Sequence, residues 1–193
     1  MIEGRLVRVL GISGSLRGAS SNSRLIRAAT RLAPAGVELS VYGELADIPP
    51  FNPDLDTETA PAAVSRLRAA LQASDAILIS SPEYAHGVSG VLKNALDWLV
   101  SSGELIDKPI ALINASARAT HAHASLCETL TTMCGVVVNE ASLTIPLTGT
   151  ALDAEGNFTD ACLSTSLTSA IEALSHATRA MRHDGTLTTE RIA

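Results

Sequence analysis

Apolar residues fall into two alternating patterns: short continuous runs, and longer stretches with apolar positions three or four residues apart. The first kind reads as buried strand and the second as amphipathic helix. Leu6 to Ser13 is a strand by this rule, and Asn22 to Leu32 a helix with Leu25, Ile26, Ala28, Ala29 and Leu32 inward. Pro34-Ala-Gly36 closes that helix, and Val37 to Tyr42 alternates as a second strand. Asp47 to Asp56 holds three prolines and reads as a loop. Pro61 to Ala73 is a helix with Pro61 in its first turn and Val64, Leu67, Ala70 and Leu71 toward the core. Asp75 to Ser80 is a strand, Ser89 to Val100 a helix, Pro109 to Asn114 a strand and Thr120 to Met133 a helix. Val136 to Val138 begins a fifth strand, reaching at most to Ile145. Asp153 to Asn157 is a turn, Asp160 to Met181 the closing helix, and 183–193 a polar tail expected to fray.

Strand and helix therefore alternate five times, which argues for a parallel sheet covered on both faces. Right-handed crossovers make such a sheet doubly wound. The expected fold is α/β, a five-stranded doubly wound parallel sheet with helices on both faces, in a single domain spanning 1–193. Hydrophobic residues at 46% and charged ones at 18% exclude a disordered chain. Aromatics make up only 3%, so Ala, Leu, Val and Ile must build the core.

A net charge of −6 offers no basic field for nucleic acid and no polybasic membrane patch. No apolar stretch reaches the roughly 18 residues of a membrane span. Cys127, Cys134 and Cys162 form no CxxC pair. The first two stand seven apart on one helical pattern, and core packing is preferred to a disulfide or metal. An odd number of cysteines without a signal peptide fits a reducing cytoplasm. Ile2-Glu-Gly-Arg5 is read either as a tag remnant, making 1–5 foreign, or as chance.

Two loops concentrate the polar chemistry. Gly11-Ile-Ser-Gly-Ser-Leu-Arg-Gly-Ala-Ser-Ser-Asn22 follows the first strand, with Gly11, Gly14 and Gly18 allowing a tight turn and close ligand approach. Ser13, Ser15, Ser20, Ser21 and Asn22 offer donors, Arg17 a guanidinium fork, and the next helix its free N–H groups. Helix capping alone leaves Arg17 and so many donors unexplained. The spacing fits neither GxGxxG nor GxxxxGK[ST], so a terminal monophosphate is the expected ligand, as in a flavin mononucleotide. The second loop runs from Ser81 through Pro82, Glu83, Tyr84, Ala85, His86 and Gly87. Pro82 keeps Ser81 extended, and Gly87 allows the main chain near a flat ring. Fixed main-chain donors there would meet the heteroatoms of a flavin edge. Lys93 and Asp97 stand i, i+4 and are read as a helix-face pair.

Gly14-Ser-Leu-Arg17, Ser20 and Asn22, with Pro82-Glu-Tyr84 and Leu92-Lys-Asn-Ala-Leu-Asp-Trp98, resemble the NADPH-dependent FMN reductase family. The likeness runs from about Val7 to the final helix and takes in Leu45 to Asn52 and Asp153 to Asp160. The resemblance implies a flavodoxin-like fold, FMN as cofactor and NADPH or NADH as co-substrate. It implies that Ser15, Arg17, Ser20 and Asn22 hold the FMN phosphate. Pro82, Glu83, Tyr84 and the main chain through Gly87 would flank the isoalloxazine, with Ser116 closing the other side. It also implies a homodimer or homotetramer, with the helix carrying Trp98 between subunits. Three positions depart from the family pattern: Ala85 replaces an Asn, Ser89 a Pro, and Ala117 to His123 a Gly-Gly loop.

His86, His121 and His123 lack the nearby Cys or carboxylate cluster of a metal site, so no metal is expected. His86 is the candidate proton donor to a bound quinone, although hydride chemistry on a flavin needs no protein acid. A flavodoxin-like electron carrier is the alternative class. Such carriers sandwich the ring between aromatics, whereas only Tyr84 is available here. No G-x-S-x-G elbow supports a serine hydrolase, and no acidic cluster after the first strand supports a phospho-receiver. The expected reaction is ping-pong: NAD(P)H gives hydride to FMN, and a flavin, quinone, azo compound or metal oxyanion then takes the electrons.

Overall fold

The computed structural model describes residues 5–147, 151–153 and 156–183. The tag reading of Ile2 to Arg5 falls almost entirely outside these residues, as does the tail beyond His183. The strands are β1 (Val7–Ser13), β2 (Val37–Tyr42), β3 (Ala76–Ser80), β4 (Glu83–Tyr84), β5 (Gly87–Val88), β6 (Pro109–Asn114), β7 (Val136–Val137) and β8 (Leu143–Thr144). The helices are α1 (Ser21–Arg31), α2 (Ala62–Gln72), α3 (Gly90–Asp97), α4 (Thr120–Thr132) and α5 (Ala161–His183).

The main sheet runs β2-β1-β3-β6-β7, every pairing parallel. That strand order is the flavodoxin-like one, with the switch in direction between β1 and β3. Side-chain alternation divides each central strand between two cores. Val7 and Val9, Ala76 and Leu78, and Ala111 and Ile113 pack under Leu25 and Ile26 of α1 and Leu167 and Ile171 of α5. Leu10 and Ile12, Ile77 and Ile79, and Ile110 and Leu112 pack under α2, α3 and α4 on the other face. β3 and β6 are buried along their whole length, as parallel strands covered on both faces must be.

The expected fifth strand is two strands. A single 3-10 turn at Asn139–Ala141 interrupts it, and β7 and β8 pair separately with the start and end of β6. Ser142 explains the break: its hydroxyl donates to Val138 O at 2.9 Å and accepts from Leu112 N at 3.0 Å, taking a ladder position for a side chain. The helix expected over Ser89 to Val100 stops at Asp97 and tightens into turns. The proline-rich loop holds two 3-10 turns, Leu45–Asp47 and Pro53–Leu55. Lys93 and Asp97 do pair across one turn of α3.

The cysteine expectation is corrected. Cys134 lies beyond the end of α4 at φ 59°, so it shares no helix face with Cys127. Cys134 and Cys162 are exposed and Cys127 is half-buried, and all three are free thiols. Among the described residues no helix is long and apolar enough to cross a membrane.

Candidate active site

β1 and β3 run in register, Ser13 opposite Ser80, so the two polar loops leave the sheet at one level. Gly14 N donates to Ser80 O at 2.8 Å, holding the loops side by side. A methyl group at Gly14 would come within 2.8 Å of Ser81 Oγ, so glycine is needed here for close approach. It is not needed for an unusual backbone, since Gly11, Gly14 and Gly18 all lack positive φ. Gly11 has the same role against Ile26 Cγ2, at 2.7 Å, whereas Gly18 faces open space.

Most hydroxyls of the first loop fold the loop itself. Ser13 Oγ pairs with Ser23 Oγ at 2.8 Å and accepts from Ser15 N at 3.3 Å. Ser15 Oγ accepts from Arg17 N at 3.4 Å, and Ser20 Oγ caps α1 through Ser23 N at 3.3 Å. Asn22 Oδ1 accepts from Ser80 Oγ at 2.9 Å, which ties the start of α1 to β3. Among the described residues the N–H groups of Ser21 and Asn22 have no partner, as first-turn groups without an intrahelical acceptor. Arg17 is exposed at the same place, its guanidinium without a partner among the described residues.

The second loop is a hairpin that the sequence pattern did not disclose. β4 and β5 pair antiparallel around Ala85 and His86, at φ 48° and 62°. Two successive positive φ values are those of a type I′ turn, which favours Asn-Gly. The glycine of this segment, Gly87, lies in β5 and needs no special φ. The hairpin leans on α4. Glu83 Oε2 accepts from Ala122 N at 2.8 Å, and the His86 and His121 rings stack at 4.1 Å and 17°. Burial holds the His123 imidazole below the ordinary histidine range. Its ring lines a small slot with Ser81, Asn114 and Leu126 behind the main cavity.

A third wall comes from the segment after β6. Asn114 Nδ2 donates to Ala119 O at 2.9 Å, and Ser116 N donates to Asn114 Oδ1 at 3.0 Å. Ala119 N reaches Ser116 O at 3.1 Å, and Arg118 N reaches Ser116 Oγ at 3.3 Å. These bonds make 114–119 a rigid turn without glycine.

The three walls enclose one cavity of about 730 Å³ at the carboxyl ends of the strands. Ser15, Arg17, Ser20 and Asn22 line it on one side, and Pro82, Glu83, Tyr84 and Ser116 on the other. Of the residues proposed from sequence, Ser13, Ala85, His86 and Gly87 do not line it. Ser13 is spent on Ser23, and Ala85 and His86 form the outer turn of the hairpin. Sequence reasoning missed Asn114, Ala115, Arg118, Pro146 and Leu147, which also line it. Asn114 had a readable signal, a polar residue ending an otherwise apolar strand. Ser89, which stands where the family pattern has a proline, is 1% exposed, and its hydroxyl finds no partner among the described residues.

Trp98 is fully buried within its own chain. Its Nε1 donates to Pro49 O at 2.9 Å and its ring meets Phe51 edge-on at 5.1 Å. Asn94 joins it, bonding Pro49 O at 2.9 Å and Phe51 N at 2.7 Å. The Leu92–Trp98 motif thus anchors the proline-rich loop.

Strand order, switch-point cavity and helix N-terminus together define a flavodoxin-like domain with a site for a phosphorylated small molecule. Residues 7–149 match the family model of NADPH-dependent FMN reductases, and the chain belongs to that family. It is 36% identical over 159 residues to an NAD(P)H-dependent FMN reductase of Pseudomonas aeruginosa, covering 80% of this chain and 85% of that one. It is 38% identical over 106 residues to a quinone reductase of Escherichia coli, covering 54% and 55% of the two chains. Among solved structures, FerB, the NAD(P)H:acceptor oxidoreductase of Paracoccus denitrificans, superposes with a TM-score of 0.82 at 29% identity. That match covers 91% of this chain and 98% of FerB. A WrbA-like flavodoxin of Agrobacterium tumefaciens shares the fold, with a TM-score of 0.54 at 18% identity.

Proposed function

We propose that this chain is an NAD(P)H-dependent flavin oxidoreductase that uses FMN and delivers electrons to a small acceptor such as flavin, a quinone, an azo compound or a metal oxyanion. One observation carries the reading: an Arg17 unpartnered among the described residues, the first-turn N–H groups of α1 and the hairpin wall at Pro82–Tyr84 share one cavity. That donor set fits a monophosphate at one end and a ring at the other. Arg17 with the Ser21 and Asn22 N–H groups would hold the phosphate dianion. Pro82, Glu83 and Tyr84 would flank the ring on one side and Ser116 on the other. When bound, FMN supplies the hydride chemistry that these side chains lack.

The chain's own residues orient and exclude. The hairpin, clamped to α4, fixes the wall against which a planar co-substrate stacks. Tyr84, 55% exposed, leaves the mouth open, so NAD(P)H and the acceptor use one face in turn, a ping-pong order. His86 stands outside the lining on the hairpin turn and is assigned no proton transfer.

The chain is read as a single domain acting in the cytoplasm, where three free thiols, two of them exposed, stay reduced. A homodimer or homotetramer is supported by Leu55 and Val100, 49% and 66% exposed. Each adjoins a member of the Asp56–Ser101 hydrogen bond, so both belong to one surface. Titration with FMN tests the reading: a bound-flavin absorption band and steady NADPH oxidation with quinone are expected. No band at micromolar FMN would overturn it.

A further inference from the structure

The cavity carries two arginines, and a monophosphate engages only one. Arg17 stands on the α1 side, with the helix N-terminus behind it. Arg118 lines the opposite wall, on the turn that follows β6. It is exposed, and its guanidinium has no hydrogen-bond or ion-pair partner among the described residues. Its backbone is nevertheless fixed. Arg118 N is held by Ser116 Oγ, Ala119 N by Ser116 O, and Ala119 O by the buried Asn114 amide. A free five-donor fork on a rigid turn at the rim of a ligand cavity is a poor surface residue and a good anion clamp.

We infer that Arg118 binds a phosphate of the nicotinamide dinucleotide and sets the enzyme's affinity for that co-substrate. This assignment rests on the reductase reading above. The charge balance favours it. The chain carries a net −6, which repels an anionic dinucleotide at long range, so attraction must come from a cation at the mouth. The geometry agrees. A nicotinamide ring that stacks inside the cavity leaves its phosphates outside, on the rim where Arg118 projects. Glu83 also lines the cavity, but its carboxylate bonds Ala122 N and makes no ion pair with Arg118 among the described residues.

The experiment compares the FMN-loaded protein with Arg118→Ala and Arg118→Lys. KM for NADPH should rise about tenfold or more in the alanine variant, the cost of one charged hydrogen-bonding contact, with kcat nearly unchanged. The lysine variant, which keeps the charge and loses the fork, should fall between. Calorimetry supplies a readout independent of turnover. A lower affinity for adenosine 2′,5′-bisphosphate alone assigns the 2′-phosphate, and an equal loss for ADP assigns the pyrophosphate. Unchanged affinities for both, or a weakened FMN complex with an unchanged KM for NADPH, overturn the inference. Failure of the reductase reading shows separately, as absence of flavin binding and of NADPH oxidation in the unsubstituted protein.

Discussion

Glu83 reaches across from β4 and accepts a hydrogen bond from the Ala122 backbone at 2.8 Å. α4 has no acidic residue in its first turn and no side-chain cap of its own, so this carboxylate serves as a cap lent by another element. The same bond ties the hairpin wall of the cavity to the helix behind it. Glu83→Ala should cost about 1 kcal/mol in urea denaturation, and FMN should bind more weakly as the wall loosens. Glu83→Gln keeps an acceptor and should recover most of both. Equal stability for all three proteins would show that the cap carries no load.

The hairpin turn is strained at its tip. Ala85 and His86 both sit at positive φ, where a Cβ crowds the backbone. Ala85→Gly removes that crowding and should raise stability by about 1 kcal/mol. Ala85→Asn should gain less, because a short polar side chain tolerates this region only in part. A gain of about 1 kcal/mol corresponds to roughly 2–4 °C in melting temperature for a chain of this size, and the asparagine variant should shift less. A lower melting temperature in Ala85→Gly would contradict the strain.

Arg17 lines the same cavity as Ser21 and Asn22 in the first turn of α1. Arg17→Ala should weaken FMN roughly 10- to 100-fold, the range for a lost charge-assisted contact. Riboflavin, which has no phosphate, should bind both proteins alike. A fluorescence titration with the two flavins reads the difference, and parallel losses would place Arg17 against the ring instead.

The sheet, its order of elements and the first loop were legible because they follow from period and turn chemistry within short windows. The broken fifth strand was not legible, since Ser142 acts on Leu112 and Val138 through contacts that no local pattern encodes. The hairpin escaped for a related reason. Its turn residues, Ala85 and His86, carry none of the Asn-Gly signal, and packing on α4 through Glu83 and His121 holds them in place. Ser13 reads in sequence as a free donor beside a glycine, and only the folded chain brings Ser23 to bond it. Arg118 and Leu147 reach the cavity only through the strand order, which sets the end of β6 beside β3 and β8 beside the end of β6.

Asp56 couples the proline-rich loop to α2 and α3. Hydrogen bonds from Ser101 and then Arg68 hold its carboxyl below the usual aspartate range, and Arg68 also bonds Trp98 O at 2.5 Å. A lowered folded-state pKa gives stability that is full above the unfolded value of about 3.9 and is lost as pH falls through the folded one. Asp56→Asn should therefore lower stability at pH 7 and flatten its decline below pH 4. Urea midpoints across that range decide it, and a variant curve parallel to the original would refute the coupling.

His123 acts on the opposite side of neutrality from most stabilising histidines. Burial alone lowers its pKa, so the folded protein prefers the neutral ring while the unfolded chain titrates near the ordinary value of about 6.5. Between those two values the unfolded state binds more protons, so stability rises with pH there. The protein should lose stability as pH falls from about 6.5 toward the folded-state value, and this loss should be smaller in His123→Gln, which cannot charge. The slot that holds the ring lies against Ser81 and Asn114, which lead into two walls of the cavity. Protonation should therefore loosen FMN in the same pH window. Paired urea midpoints and FMN affinities at pH 7.5 and pH 5 test both effects. The account fails if the glutamine variant shows the same drop in stability as the original protein.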